Sequence, residues 1–106
     1  MKMKENKHDI RKIEYKELLT LIVGRKGGET TAKIIDKILS EPCNKNQLAK
    51  ALKLDYNTIT YHTNILCHHD YIQKLKLENI NYYHPSNKLI ENLDEYCRIR
   101  EYLKKR

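Results

Sequence analysis

The stretch QLAKALKLDYNTITYHTNIL, residues 47–66, decides how this chain folds. Its first half carries Leu48, Ala49 and Leu52 at helical spacing, and its second half carries Ile59, His62, Thr63 and Leu66 at the same spacing. Lys53-Leu54-Asp55 between them has room only for a tight turn, so two short helices must cross. A crossing needs a small residue at the closest approach, a turn, and an apolar residue that locks the second helix onto the core; Ala49, Leu54 and Ile59 fill these roles. Just upstream, Asn44-Lys45-Asn46-Gln47 has the spacing of a capping box, in which Asn44 accepts from a first-turn amide and Gln47 reaches back. The sequence thus predicts a short helix, a turn, and a second helix from about Asn57 to His69.

Downstream, Tyr71 to Leu77 and Ile80 to His84 are rich in β-formers and flank Glu78-Asn79, which predicts a β-hairpin. Ser86 then caps a last helix bearing Leu89, Ile90, Leu93, Tyr96, Cys97 and Leu103. Upstream, Ile34, Ile35, Ile38 and Leu39 form a helical stripe, opened by Thr30 or Thr31 and stopped by Pro42, which pushes Glu41 out of the helical region. Gly24-Arg25-Lys26-Gly27-Gly28 holds every glycine in the chain and reads as a loop. Before it, Ile10, Ile13, Leu18 and Leu21 mark an irregular amphipathic helix from Ile10 to Ile22. The 106 residues are one domain's worth of chain. Their predicted order is mostly α with one β-hairpin, a winged helix-turn-helix: N-terminal helix and glycine loop at 1–28, winged helix-turn-helix at 29–86, and a C-terminal dimerisation helix at 87–106.

From Gln47 to Leu66 the chain resembles the DNA-binding motif of ArsR-type transcriptional regulators. Within that family it is most similar to the small archaeal winged-helix regulators. Their Gly-Gly loop, N-x-x-Q-L-A start and D-Y-x-T-[IV]-x-x-H segment stand here as Gly27-Gly28, Asn44 to Ala49 and Asp55 to His62, and the likeness covers roughly residues 24–103. The resemblance implies a homodimer that binds double-stranded DNA, with the second helix of the motif in the major groove and the hairpin wing over the backbone or minor groove. Two positions depart from the pattern. Lys53 stands where a Gly is usual in the turn, which puts a non-Gly residue at positive φ at a cost of about 1 kcal/mol. Thr63 stands where a Leu usually follows the His, which weakens the buried face.

Lys and Arg number 21 against 14 Asp and Glu, a net charge of +7, and a basic balance concentrates a protein near phosphates. The excess does not sit on the second helix, since residues 55–70 carry −2 and no Lys or Arg. Projected at about 100° per residue, Ile59, His62, Thr63, Leu66 and Asp70 fall on an inner arc, with Asn57, Thr60, Tyr61, Asn64 and His68 opposite. The candidate base readers are Asn57, Thr58, Thr60, Tyr61 and Asn64, because Asn suits adenine and Thr touches a thymine methyl. Phosphate contacts then fall to Arg25 and Lys26 of the glycine loop, Lys45, Lys50 and Lys53 of the first helix and turn, Lys74 and Lys76 of the hairpin, and His68. His62, on the inner arc, reads as a hydrogen-bonded structural histidine.

The apolar stripes of the terminal helices, Ile10, Ile13, Leu21, Leu89, Leu93, Tyr96 and Leu103, are the expected dimer interface. Cys43, Cys67 and Cys97 are an odd set without a C-x-x-C pair, which fits a reducing compartment, and no apolar run approaches the ~18 residues of a membrane helix. A cytoplasmic protein with no membrane partner is expected. Cys67-His68-His69-Asp70 gathers four ligand types, yet adjacent helical residues point about 100° apart and cannot converge on one ion. Cys67, His68, His69 and Cys97 therefore stand only as candidates for a metal- or redox-sensing variant, and no metal or cofactor is expected. The segment Gly24 to Thr30 has Glu29-Thr30 where a P-loop needs Gly-Lys, and neither H-E-x-x-H nor G-x-S-x-G occurs, so no enzyme is expected. The acidic second helix keeps one alternative open, a winged helix used for protein contact.

Overall fold

A computed structural model describes residues 17–105. The expected helical residues 10–16, with the interface candidates Ile10 and Ile13, lie outside that range. Helix α1 covers residues 17–22 and ends where the amides of Val23 and Gly24 both turn to the Leu19 carbonyl.

Helix α2 spans Gly28–Ser40. Neither Thr30 nor Thr31 caps it: the N-cap is Gly27 in the left-handed region at φ 85, with no side-chain cap, and Gly28 belongs to the helix, not the loop. The reason is a close approach between chain segments. A Cβ on Gly28 would lie 1.6 Å from the Ile22 carbonyl oxygen, so only glycine lets the start of α2 press against the end of α1. At the other end Glu41, before Pro42, is extended as expected.

Helix α3 spans Lys45–Leu52 and helix α4 spans Tyr56–His68, one residue ahead of the expected limits. Both arms of the capping box form: the Gln47 amide donates to Asn44 Oδ1 at 2.8 Å and the Asn44 amide to Gln47 Oε1 at 2.9 Å. Asp55 caps α4 by accepting from the Thr58 amide at 2.6 Å. Lys53 does take the left-handed turn conformation, at φ 57.

Strands β1 (Ile72–Leu77) and β2 (Ile80–Pro85) pair antiparallel, with Leu77 opposite Ile80. Glu78 and Asn79 sit at φ 49 and 67, the two positive values of a type I′ turn, whose twist matches that of the strands. Cys43 bridges to Tyr83 through two backbone hydrogen bonds of 3.2 and 2.7 Å, which fastens the hairpin to the segment before α3.

The expected last helix is two helices. Ser86 caps α5 (Asn87–Glu91) by accepting from the Leu89 amide, while its hydroxyl donates to the Asp70 carbonyl at 2.6 Å. Asn92 breaks the run, its side chain donating to the Lys88 carbonyl, before α6 continues over Leu93–Lys105. One apolar core joins residues of every helix to Tyr71, Ile72 and Tyr83. It also contains Leu21, Leu89, Tyr96 and Leu103, four residues expected at a dimer interface, whose side chains pack within a single copy. Among the described members of that set, Leu93 alone is half-buried.

Candidate nucleic-acid interface

Helix α4 divides as its spacing dictates. Ile59, His62, Thr63 and Leu66 are buried, and Asn57, Tyr61, Asn64 and His68 are exposed, with Thr60 half-buried. Thr63 costs the buried face little, because its hydroxyl donates to the Ile59 carbonyl at 2.8 Å and leaves no orphaned polar atom. Asp70 is not on the inner arc; it lies exposed past the helix end at φ 63. Thr58 is half-buried, and both its amide and its hydroxyl turn to the Asp55 carboxylate.

His62 ties α4 to the glycine loop. Its Nδ1 lies 2.9 Å from the Thr31 hydroxyl, and burial, with the Arg25 charge nearby, lowers its pKa and favours the neutral ring. Arg25 donates from Nε to the Leu21 carbonyl and from Nη2 to the Thr31 hydroxyl, and its guanidinium lies 5.9 Å from the Tyr61 ring centre. Arg25 is thus an anchored side chain beside the exposed face of α4, with part of its donor capacity used inside the protein.

Lys26, Lys50, Lys53, Lys74 and Lys76 are exposed. Lys45 is half-buried, its ammonium 5.4 Å from the Tyr56 ring centre. In the hairpin register Lys74 faces Tyr83 and Lys76 faces Asn81, so both lysines share the side that carries the buried Tyr83. Leu75, Leu77 and Ile80 share the opposite side and are 50%, 52% and 45% exposed. The alternation of Lys and Leu through residues 74–77 is the sequence mark of this two-faced wing, whose apolar face was not among the expected site residues.

Among the described residues no three His, Cys, Asp or Glu side chains gather where they could hold a metal ion. His69 is engaged by Glu17, Cys97 is exposed on α6, and burial pushes the Cys67 thiol up from its ordinary pKa. No helix among the described residues is long and apolar enough to cross a membrane.

Glu17 was missed by sequence reasoning, although it gathers side chains from three segments. Its carboxylate accepts from Tyr71 at 2.7 Å and from Lys88 at 2.7 Å, and meets His69 Nδ1 at 3.2 Å. Desolvation opposes its charge, but the hydrogen bonds from Lys88, Tyr71 and His69 and the Lys88 charge outweigh that and hold the carboxyl at about 2. The partners are 52 to 71 residues away along the chain, so no local pattern marks them.

No protein-family description and no curated protein matches the chain. Solved structures do. A probable transcriptional regulator from Pseudomonas aeruginosa aligns at a TM-score of 0.66 with 20% identity, over 86% of this chain and 72% of that one. The transcriptional regulator BldR from Sulfolobus solfataricus aligns at 0.66 with 16% identity, over 96% and 76%. FabT of Streptococcus pneumoniae, solved in complex with DNA, aligns at 0.57 with 20% identity, over 98% and 78%. At these identities the likeness establishes the fold, a winged helix-turn-helix.

Proposed function

We propose that this chain is a sequence-specific DNA-binding transcriptional regulator, with α4 in the major groove of double-stranded DNA and the hairpin over the adjacent backbone or minor groove. The observation that carries the proposal is the reading arc of α4. Asn57, Tyr61 and Asn64 stand exposed, with Thr60 half-exposed beside them and no charged side chain among them. Amides and hydroxyls are the groups that match base edges, whereas the lysines on α3, the turn and the wing supply the non-specific attraction to phosphate. Regulators that share the fold, one of them solved with DNA, support this reading. The segment from Asn44 to His62 is the basis for assigning it to the ArsR-like type. Catalysis has no part in the proposal.

We further propose a homodimer bound to half-sites about one helical turn apart. With Leu21, Leu89, Tyr96 and Leu103 inside the core, its contact falls on the groove between α2 and α6, where Leu39, Leu93 and Cys97 reach the surface.

The test begins with selection of bound sites from a random DNA pool. Asn57→Ala and Asn64→Ala are each expected to cost about 1–3 kcal/mol on the selected site and little on random DNA, while Lys74→Ala weakens both alike. Equal losses from all three variants on both DNAs would remove the arc from its role. A second reading, a winged helix for protein contact, is favoured by the exposed outer wing face of Leu75, Leu77 and Ile80. Failure to retain any DNA in a low-salt gel shift would leave that reading in place.

A further inference from the structure

Arg25 stands where three helices meet. From the glycine loop its Nε donates to the Leu21 carbonyl of α1 at 3.1 Å, and its Nη2 donates to the Thr31 hydroxyl in the first turns of α2 at 3.2 Å. Thr31, accepting from Arg25, keeps its own proton for Nδ1 of the neutral His62 ring, 2.9 Å away on α4. The residue before His62 is Tyr61, whose ring centre lies 5.9 Å from the guanidinium, within reach of a cation–π contact. The path from Arg25 through Thr31 and His62 therefore closes back on Tyr61. We propose that Arg25 is a positioning residue for Tyr61, so that base selection by α4 depends on the junction between α1 and α2. The inference rests on the DNA-binding reading and adds to it a residue that acts through another.

Tyr61 is 57% exposed, and a side chain so exposed exchanges between rotamers unless a neighbour holds it. A held aromatic ring discriminates between bases, whereas a mobile one adapts to several. The guanidinium suits the holding role, because its plane lies against a ring while its fork spans two acceptors. It suits a phosphate less well here. Gripping a phosphate takes two parallel N–H groups, and the edge formed by Nε and Nη2, one of those able to do so, is turned to Leu21 and Thr31. Lys26, exposed beside it, is the freer cation of the loop.

The experiment uses the full chain, with base preferences measured by selection from a random DNA pool for the parent and each variant. The positions that Tyr61 reads are those whose preference flattens in Tyr61→Leu. Arg25→Lys keeps the charge and loses the fork, and is expected to lower preference at those same positions by about threefold to tenfold, with the salt slope unchanged. In the Tyr61→Leu background it is expected to change nothing further. A second pair of variants tests the path without touching Arg25: Thr31→Val is expected to flatten the same positions and Thr31→Ser to retain them, and urea unfolding checks that each variant is folded. Unchanged preferences in both Arg25→Lys and Thr31→Val, or an equal loss in the Tyr61→Leu background, would overturn the positioning role and leave the regulator reading standing. So would a uniform loss on every duplex in Arg25→Ala with a salt slope lower by about one, which marks a phosphate contact. If the parent selects no duplex, both fall together.

Discussion

Lys53 holds φ 57 at the point where the chain must turn from α3 into α4. The left-handed region costs a side-chain-bearing residue about 1 kcal/mol that glycine does not pay. Lys53→Gly is therefore expected to raise stability by about 0.5–1 kcal/mol, read as a higher urea midpoint at an unchanged slope. A lower midpoint would show that the lysine side chain contributes more than its backbone costs. This position was legible in the sequence, as was the Asn44–Gln47 capping box, because the partners of both lie within a few residues. Thr30 and Thr31 were misleading for the opposite reason. The start of α2 is set by Gly28 pressing on the Ile22 carbonyl, and the Thr31 hydroxyl goes to His62, 31 residues away.

Among the elements, α1 is joined to β1 and α5 through one carboxylate, Glu17, bonded to Tyr71 at the foot of the hairpin and to Lys88 of α5. Its folded pKa of about 2 lies below the ordinary 4.5, so the folded state favours the ionised form. The resulting stabilisation is complete above about pH 4.5 and is lost as pH falls towards 2. With the side chain 37% exposed, solvent screening reduces its worth to about 1 kcal/mol. Glu17→Gln is expected to lose about that much at pH 7 and to flatten the fall in stability between pH 4.5 and 2, measured by urea unfolding across that range. A variant whose stability fell in parallel with the parent would place the acid sensitivity elsewhere. Helices α2 and α6 are joined in a comparable way: the Tyr96 hydroxyl reaches the Ala32 carbonyl and the Asp36 carboxylate, which also pairs with Arg100. The sequence marked Tyr96 only as an apolar stripe residue, since nothing nearby in the chain reveals where its hydroxyl ends.

Over the whole molecule the net charge of +7 and the −2 of residues 55–70 describe a division of labour: cations around α4, and a neutral polar arc on it. Binding to DNA is accordingly expected to weaken steeply with salt, and an affinity indifferent to salt would oppose a phosphate-based contact. Sedimentation equilibrium is expected to give twice 12.7 kDa for the parent, and Leu93→Glu to give folded monomer. A parent that sediments as monomer would remove the dimer. By itself the sequence determined the element order through the hairpin, the inner and outer arcs of α4 between residues 57 and 68, the caps of α3 and α5, and the hairpin turn. All of these follow from hydrogen bonds and apolar periodicities that close within a few residues. Only the tertiary structure decided that the terminal stripes pack inward, that Glu17 binds Tyr71 and Lys88, and that Cys43 pairs with Tyr83. These features depend on residues far apart in the chain, whose meeting is set by how the helices and hairpin pack and leaves no mark on the local pattern.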